Sequence, residues 1–188
     1  MIRCNWYRKG WLIGIAMLAG QTASAASTYT NPLLPGGPDP WITQVDGTYY
    51  YMHTLGNRIA LWRTDNIANL AKATPLVVWT APKNGPNAHS IWAPELHRLD
   101  GKWFLYYSAT ASGFNDDRHR AVFVLENDAA DPMNTRWVDR GRINTARPGI
   151  DGTVFTHNGK RYFVYSPYTE TDTSLAIAAM KNPWTLTG

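Results

Sequence analysis

The chain has 188 residues, with 18 Lys and Arg against 14 Asp and Glu, a formal charge of +4. Three of the bases, Arg3, Arg8 and Lys9, head a short apolar run from Trp11 to Ala19, followed by the small-x-small triplet Ala23-Ser24-Ala25. Without that segment the balance is 15 bases to 14 acids, or +1, which leaves no basic surface for nucleic acid or an anionic membrane.

Residues 1–25 have the layout of a secretory signal peptide, and their apolar run is too short to span a bilayer. The expectation is therefore a secreted or periplasmic mature chain, residues 26–188, with no membrane segment of its own. That length is one domain's worth. The single cysteine, Cys4, lies in the leader, so the mature chain forms no disulfide. Seven tryptophans remain in it, a content that suits packed β-sheets and equally a cleft in which rings stack on sugars.

From there on the chain alternates aromatic or apolar runs with Gly, Pro, Asn and Asp. "TYYYMHT", "IALWRT", "KWFLYYSAT", "AVFVLEN", "RYFVYSPY" and "SLAIAAM" read as strands, and no helix of ten or more residues is predicted after the leader. The fold class is all-β. Asp46-Gly47, Asp100-Gly101 and Asn158-Gly159 are hairpin-turn dipeptides that each enter an aromatic strand. Their glycines, Gly47, Gly101 and Gly159, recur at nearly equal steps, and each unit carries a further strand downstream. A long repeat built from several antiparallel strands is the mark of a propeller blade, with a sandwich of similar hairpins as the alternative.

Counting back eight residues from each turn glycine gives Asp39, Ala93 and Asp151. In a propeller these positions open the innermost strand of successive blades and face a common channel, so two carboxylates far apart in the chain would meet. Asp39 stands between Pro38 and Pro40, and the following proline predicts extended backbone at Asp39. An Asp-Gly turn is the competing reading of Asp151. Trp92, one residue before the shared address, is either blade core or a platform for a sugar ring. Glu95, two residues after it, is either a supporting hydrogen-bond group or an ion-pair partner. The five histidines have no metal-ligand spacing, and no phosphate-binding loop, nucleotide fingerprint or serine-nucleophile motif is present.

With "GPDPW", "SIWAPELH" and "GIDGTVF" in this order, residues 30 to 188 resemble glycoside hydrolase family 43. The resemblance implies a five-bladed β-propeller acting with inversion on arabinose- and xylose-containing polysaccharides, most closely an α-L-arabinofuranosidase, without a cofactor. It implies that Asp39 is the general base, that Asp151 orients the general acid and raises its pKa, and that Trp92 borders the sugar pocket. The acid it implies is a glutamate opening a fourth blade. One more repeat step from Asp151 falls near residue ~205–210. Glu170, the only later glutamate, lacks that address and is expected in a loop. About three blades are therefore expected here, as the N-terminal part of such a domain. A catalytically silent carbohydrate-binding fragment is the alternative reading.

Overall fold

The computed structural model describes residues 29–171 and 174–187; the expected signal peptide lies outside them. Three four-stranded antiparallel sheets follow one another. The first contains β1 (Trp41–Val45), β2 (Thr48–Met52), β3 (Arg58–Thr64) and β4 (Leu76–Thr80). The second contains β5 (His89–Leu99), β6 (Lys102–Thr110), β7 (Ala121–Asn127) and β8 (Val138–Arg142). The third contains β9 (Gly149–His157), β10 (Lys160–Pro167), β11 (Ala176–Asn182) and β12 (Thr185–Leu186). Strands pair in chain order within each sheet, and the only described helices are 3₁₀ segments at Ile67–Lys72 and Asp117–His119. These are three blades of a β-propeller.

Each blade begins with the same hairpin. Asp46, Asp100 and Asn158 have φ of 50°, 51° and 48°, and the glycines after them have φ of 80°, 78° and 72°. Two successive left-handed residues give a turn whose twist matches the flanking strands, which is why Asp-Gly and Asn-Gly stand there. The first strand of blade 1 lies against that of blade 2, and the first strand of blade 2 against that of blade 3. The three inner strands thus share one axis.

Packing explains why the middle strands read as unbroken apolar runs. Trp103, Leu105 and Tyr107 of β6 join Tyr50, Met52, Ile59 and Leu61 of blade 1 in one core cluster. Phe104 and Tyr106, on the opposite face of the same strand, join Val154, Phe163 and Tyr165 of blade 3 in another. Blade 2 is buried on both faces. Blade 3 is covered on one face only: β11 alternates half-buried and exposed residues, with Ile177 62 % exposed. Polar ties reinforce the second junction. The buried Tyr106 hydroxyl donates to the Pro183 carbonyl at 2.6 Å, and Arg161 donates twice to the Asp100 carboxylate, at 2.8 and 3.0 Å.

Candidate active site

The three addresses found by counting share one backbone state. Asp39, Ala93 and Asp151 have φ of 53°, 42° and 56°. For an L-residue the left-handed region costs roughly 1–2 kcal/mol, least for aspartate, so three repeat-equivalent instances mark a built-in feature. Asp39 is accordingly not extended, as its following proline had suggested. Its aspartate side chain tolerates the left-handed state, and the flanking backbone is tied down by the Thr54 amide donating to the Pro38 carbonyl at 2.9 Å.

The pairing register shows what the left-handed residue does. Trp92 faces Ser108 and Glu95 faces Tyr106, so Ala93 and Pro94 lie opposite Tyr107 alone. Ile150 faces Ser166 and Thr153 faces Val164, so Asp151 and Gly152 lie opposite Tyr165 alone. Two residues against one is a β-bulge, which breaks the alternation of the strand and re-aims a side chain. Asp151-Gly152 is thus a bulge inside β9 and not a turn. Gly152 is required by a close approach: a Cβ there would stand 2.4 Å from Phe163 Cζ and 2.8 Å from Val122 Cγ1.

The left-handed residues that open the inner strands bring the two carboxylates together. Asp39, Pro40, Trp41, Ala93, Pro94, Glu95 and Asp151 line one pocket of about 190 Å³ where the three inner strands meet. Burial, then the charges of Asp39, Glu95 and Asp117, hold the Asp151 carboxyl above its ordinary range, although the residue keeps an exposed edge. The Thr54 hydroxyl donates to Asp39 Oδ2 at 2.7 Å, and Glu95 Oε2 pairs with His97 Nε2 at 2.9 Å. A larger hollow of about 880 Å³, beneath residues 31–37, is walled by Leu33, Leu34, Ile42, Ile67 and Leu70 and contains no carboxylate. The converging carboxylates belong to the smaller pocket. Among the described residues no three His, Cys, Asp or Glu side chains converge as a metal cage.

Trp92 precedes the pocket-lining Ala93 in β5 but is not itself among the lining residues; the tryptophan of the wall is Trp41, whose indole N–H donates to the Leu96 carbonyl at 3.1 Å. One face of Trp92 is covered by the Arg120 guanidinium, 3.2 Å from the ring centroid. Arg120 is itself buried and held by Asp117 and Asn115. Sequence reasoning missed Trp41, Thr54 and Arg120. "DPW" offered a signal for the first; nothing local offered one for the other two. Glu170 lies outside the strands, exposed and paired with Arg118 at 3.4 Å.

Residues 29–188 match the sequence family of glycosyl hydrolases family 43. The chain belongs to that family. It is 38 % identical to an extracellular exo-α-(1→5)-L-arabinofuranosidase of Streptomyces chartreusis, over 88 % of this chain and 52 % of that protein. It is also 38 % identical to the α-L-arabinofuranosidase 43 of Humicola insolens, over 89 % of this chain and 36 % of the other. The crystal structure of an α-L-arabinofuranosidase from Lactobacillus brevis superposes with a TM-score of 0.78 at 34 % identity, covering 85 % of this chain and 54 % of that one. This family 43 chain thus spans between about a third and about half of the lengths of these relatives. Its three sheets are blades of the five-bladed propeller found in these enzymes.

Proposed function

We propose that this chain carries the water-activating half of an inverting glycoside hydrolase active site, of the α-L-arabinofuranosidase type, in an exported protein. The observation that carries the reading is the meeting of Asp39 and Asp151, left-handed residues at repeat-equivalent positions of different blades, in one pocket. The kinship with arabinofuranosidases supports arabinose-containing oligo- or polysaccharide as the substrate class.

In this reading Asp39 takes the proton from a water molecule as that water attacks the anomeric carbon. A carboxylic acid on the opposite face protonates the leaving oxygen. The two groups stand roughly 6.5–9.5 Å apart to admit the water. Asp39 suits the base: a hydroxyl donor fixes one oxygen and leaves the other for water. Asp151 suits the modulator, because the repulsion it feels from Asp39 and Glu95 is the same repulsion it would exert on an adjoining acid, keeping that acid protonated. Glu95 is engaged with His97, and the acid itself is assigned to a further blade. Trp92, stacked on Arg120 one residue before the pocket-lining Ala93, is assigned in this reading to contact a sugar from outside the wall that Trp41 forms.

The test is release of pentose from an aryl α-L-arabinofuranoside. Asp39→Asn should lower the rate by about 10²–10⁴-fold, the usual contribution of a general base. A variant that keeps most of the rate removes Asp39 from that role. Wild-type protein that binds an arabino-oligosaccharide by calorimetry yet releases no sugar would favour the binding role instead.

A further inference from the structure

A left-handed residue in a bulge turns its N–H out of the strand ladder, and a buried N–H needs an acceptor. Both inner bulges solve this in the same way. The Ala93 amide donates to Thr54 Oγ1 at 2.7 Å, and the Asp151 amide donates to Ser108 Oγ at 3.0 Å. The acceptors are themselves repeat-equivalent. Thr54 lies seven residues after the turn glycine Gly47, and Ser108 seven after Gly101. Each sits just past or near the end of its blade's second strand, on the face turned to the next blade. Ser166, seven after Gly159, holds the same address on β10.

We propose that Thr54 and Ser108 are positioning residues: the hydroxyl of one blade clasps the left-handed residue that opens the next, and so sets where the carboxylates of the pocket point. At Thr54 a hydroxyl does both halves of this from a single oxygen, accepting one hydrogen bond while donating its own proton. Thr54 takes the Ala93 amide of blade 2 and gives its proton to Asp39 Oδ2 of blade 1, at 2.7 Å. The depth of Asp39 in the pocket is thereby coupled to the docking of blade 2 on blade 1. Ser108 does the corresponding work for Asp151 through its backbone, coupling it to the docking of blade 3 on blade 2. The fully buried setting of Ser108 leaves no room for water to take its place. The catalytic meaning of the clasps rests on the hydrolase reading above; their existence does not.

Amide hydrogen exchange in the isotope-labelled chain tests them, together with the carboxyl carbon resonance of Asp39. Thr54→Val should speed exchange of the Ala93 amide by roughly tenfold and shift the Asp39 carboxyl signal, while leaving the Asp151 amide as it was. Thr54→Ser, which keeps the hydroxyl, should restore both. Ser108→Ala should speed the Asp151 amide by a similar factor and leave Ala93 alone. Unchanged exchange at the clasped amide overturns the proposal. So does parallel acceleration of every amide in β5 and β9, which would mean general loosening and not a clasp. If Thr54→Val does not fold, Ser108→Ala decides by the same criteria. No sugar enters these measurements, so failure here leaves the hydrolase reading standing, and an inactive enzyme leaves the clasps standing.

Discussion

Replacing Gly152 by alanine adds one methyl group at the point where β9 crosses β10 beside the pocket. That methyl would lie 2.4 Å from Phe163 Cζ, 2.8 Å from Phe163 Cε2 and 2.8 Å from Val122 Cγ1. Carbon atoms in ordinary contact stand about 3.5–4.0 Å apart, so something must move by about 1 Å. Phe163 cannot swing away: it is fully buried, ringed by Tyr106 and Tyr165. Overpacking of this kind costs about 1–3 kcal/mol, against a gain of about 0.4–1 kcal/mol from the less flexible unfolded chain. A net loss of about 1–2 kcal/mol should lower Tm by roughly 2–8 °C in a domain of this size, read by thermal denaturation. Phe163→Leu removes two of the three clashing atoms and leaves Val122 Cγ1, so Gly152→Ala in that background should cost less than it does alone, with a coupling of about 0.5–2 kcal/mol in the double-mutant cycle. A neutral or stabilising Gly152→Ala, or strict additivity with Phe163→Leu, would refute the close-approach account of Gly152.

Two titrations follow from the charges. Asp39→Asn should lower the Asp151 pKa toward 3.8 without reaching it, since burial remains the larger cause; a carboxyl-carbon NMR titration that shows no fall would separate the two groups. Because the folded state raises this carboxyl, its stabilising contribution is complete below 3.8 and is lost as pH rises through the folded pKa, so Asp151→Asn should hold or raise Tm at pH ~7, with the gain shrinking in acid. Glu126 runs the other way. Its burial opposes ionisation, but hydrogen bonds from Arg140 and Lys102, both 2.7 Å, outweigh that and hold it below 4.5. Its contribution is present above 4.5 and fades as pH falls through the folded pKa, so Glu126→Gln should cost about 1–2 kcal/mol at neutral pH, discounted for its partly exposed partners, and the difference from wild type should close in acid denaturation curves.

How much of the site could be read from the chain depended on whether a residue's role was repeated. The turns at Asp46-Gly47, Asp100-Gly101 and Asn158-Gly159 were legible because two adjacent left-handed residues have few sequence solutions. Once they fixed the register, Asp39 and Asp151 fell at one address, and both line the pocket. The backbone at Asp39 was misjudged because the proline after it argues for extended geometry, while the tether from Thr54 to Pro38 holds the chain otherwise. Arg120 was invisible: its stacking on Trp92 joins β5 to the far end of the β6–β7 connection, and no local pattern encodes that. Trp41 lines the pocket and Trp92 does not, for a related reason, since adjacency to a shared address does not tell which side of a bulge a ring will take.

The amino-acid order alone determined the blade, its repeat and the pairing of two distant aspartates, because turn chemistry and strand alternation are local and recur at a nearly fixed step. Only the folded chain decided how those aspartates are aimed. That depends on the bulges at 93 and 151, on the hydroxyls of Thr54 and Ser108 reaching across blade junctions, and on Phe163 excluding any side chain from position 152. The bulges and the Phe163 contact exist only once neighbouring strands have paired, and the two hydroxyl contacts only once separate sheets have docked.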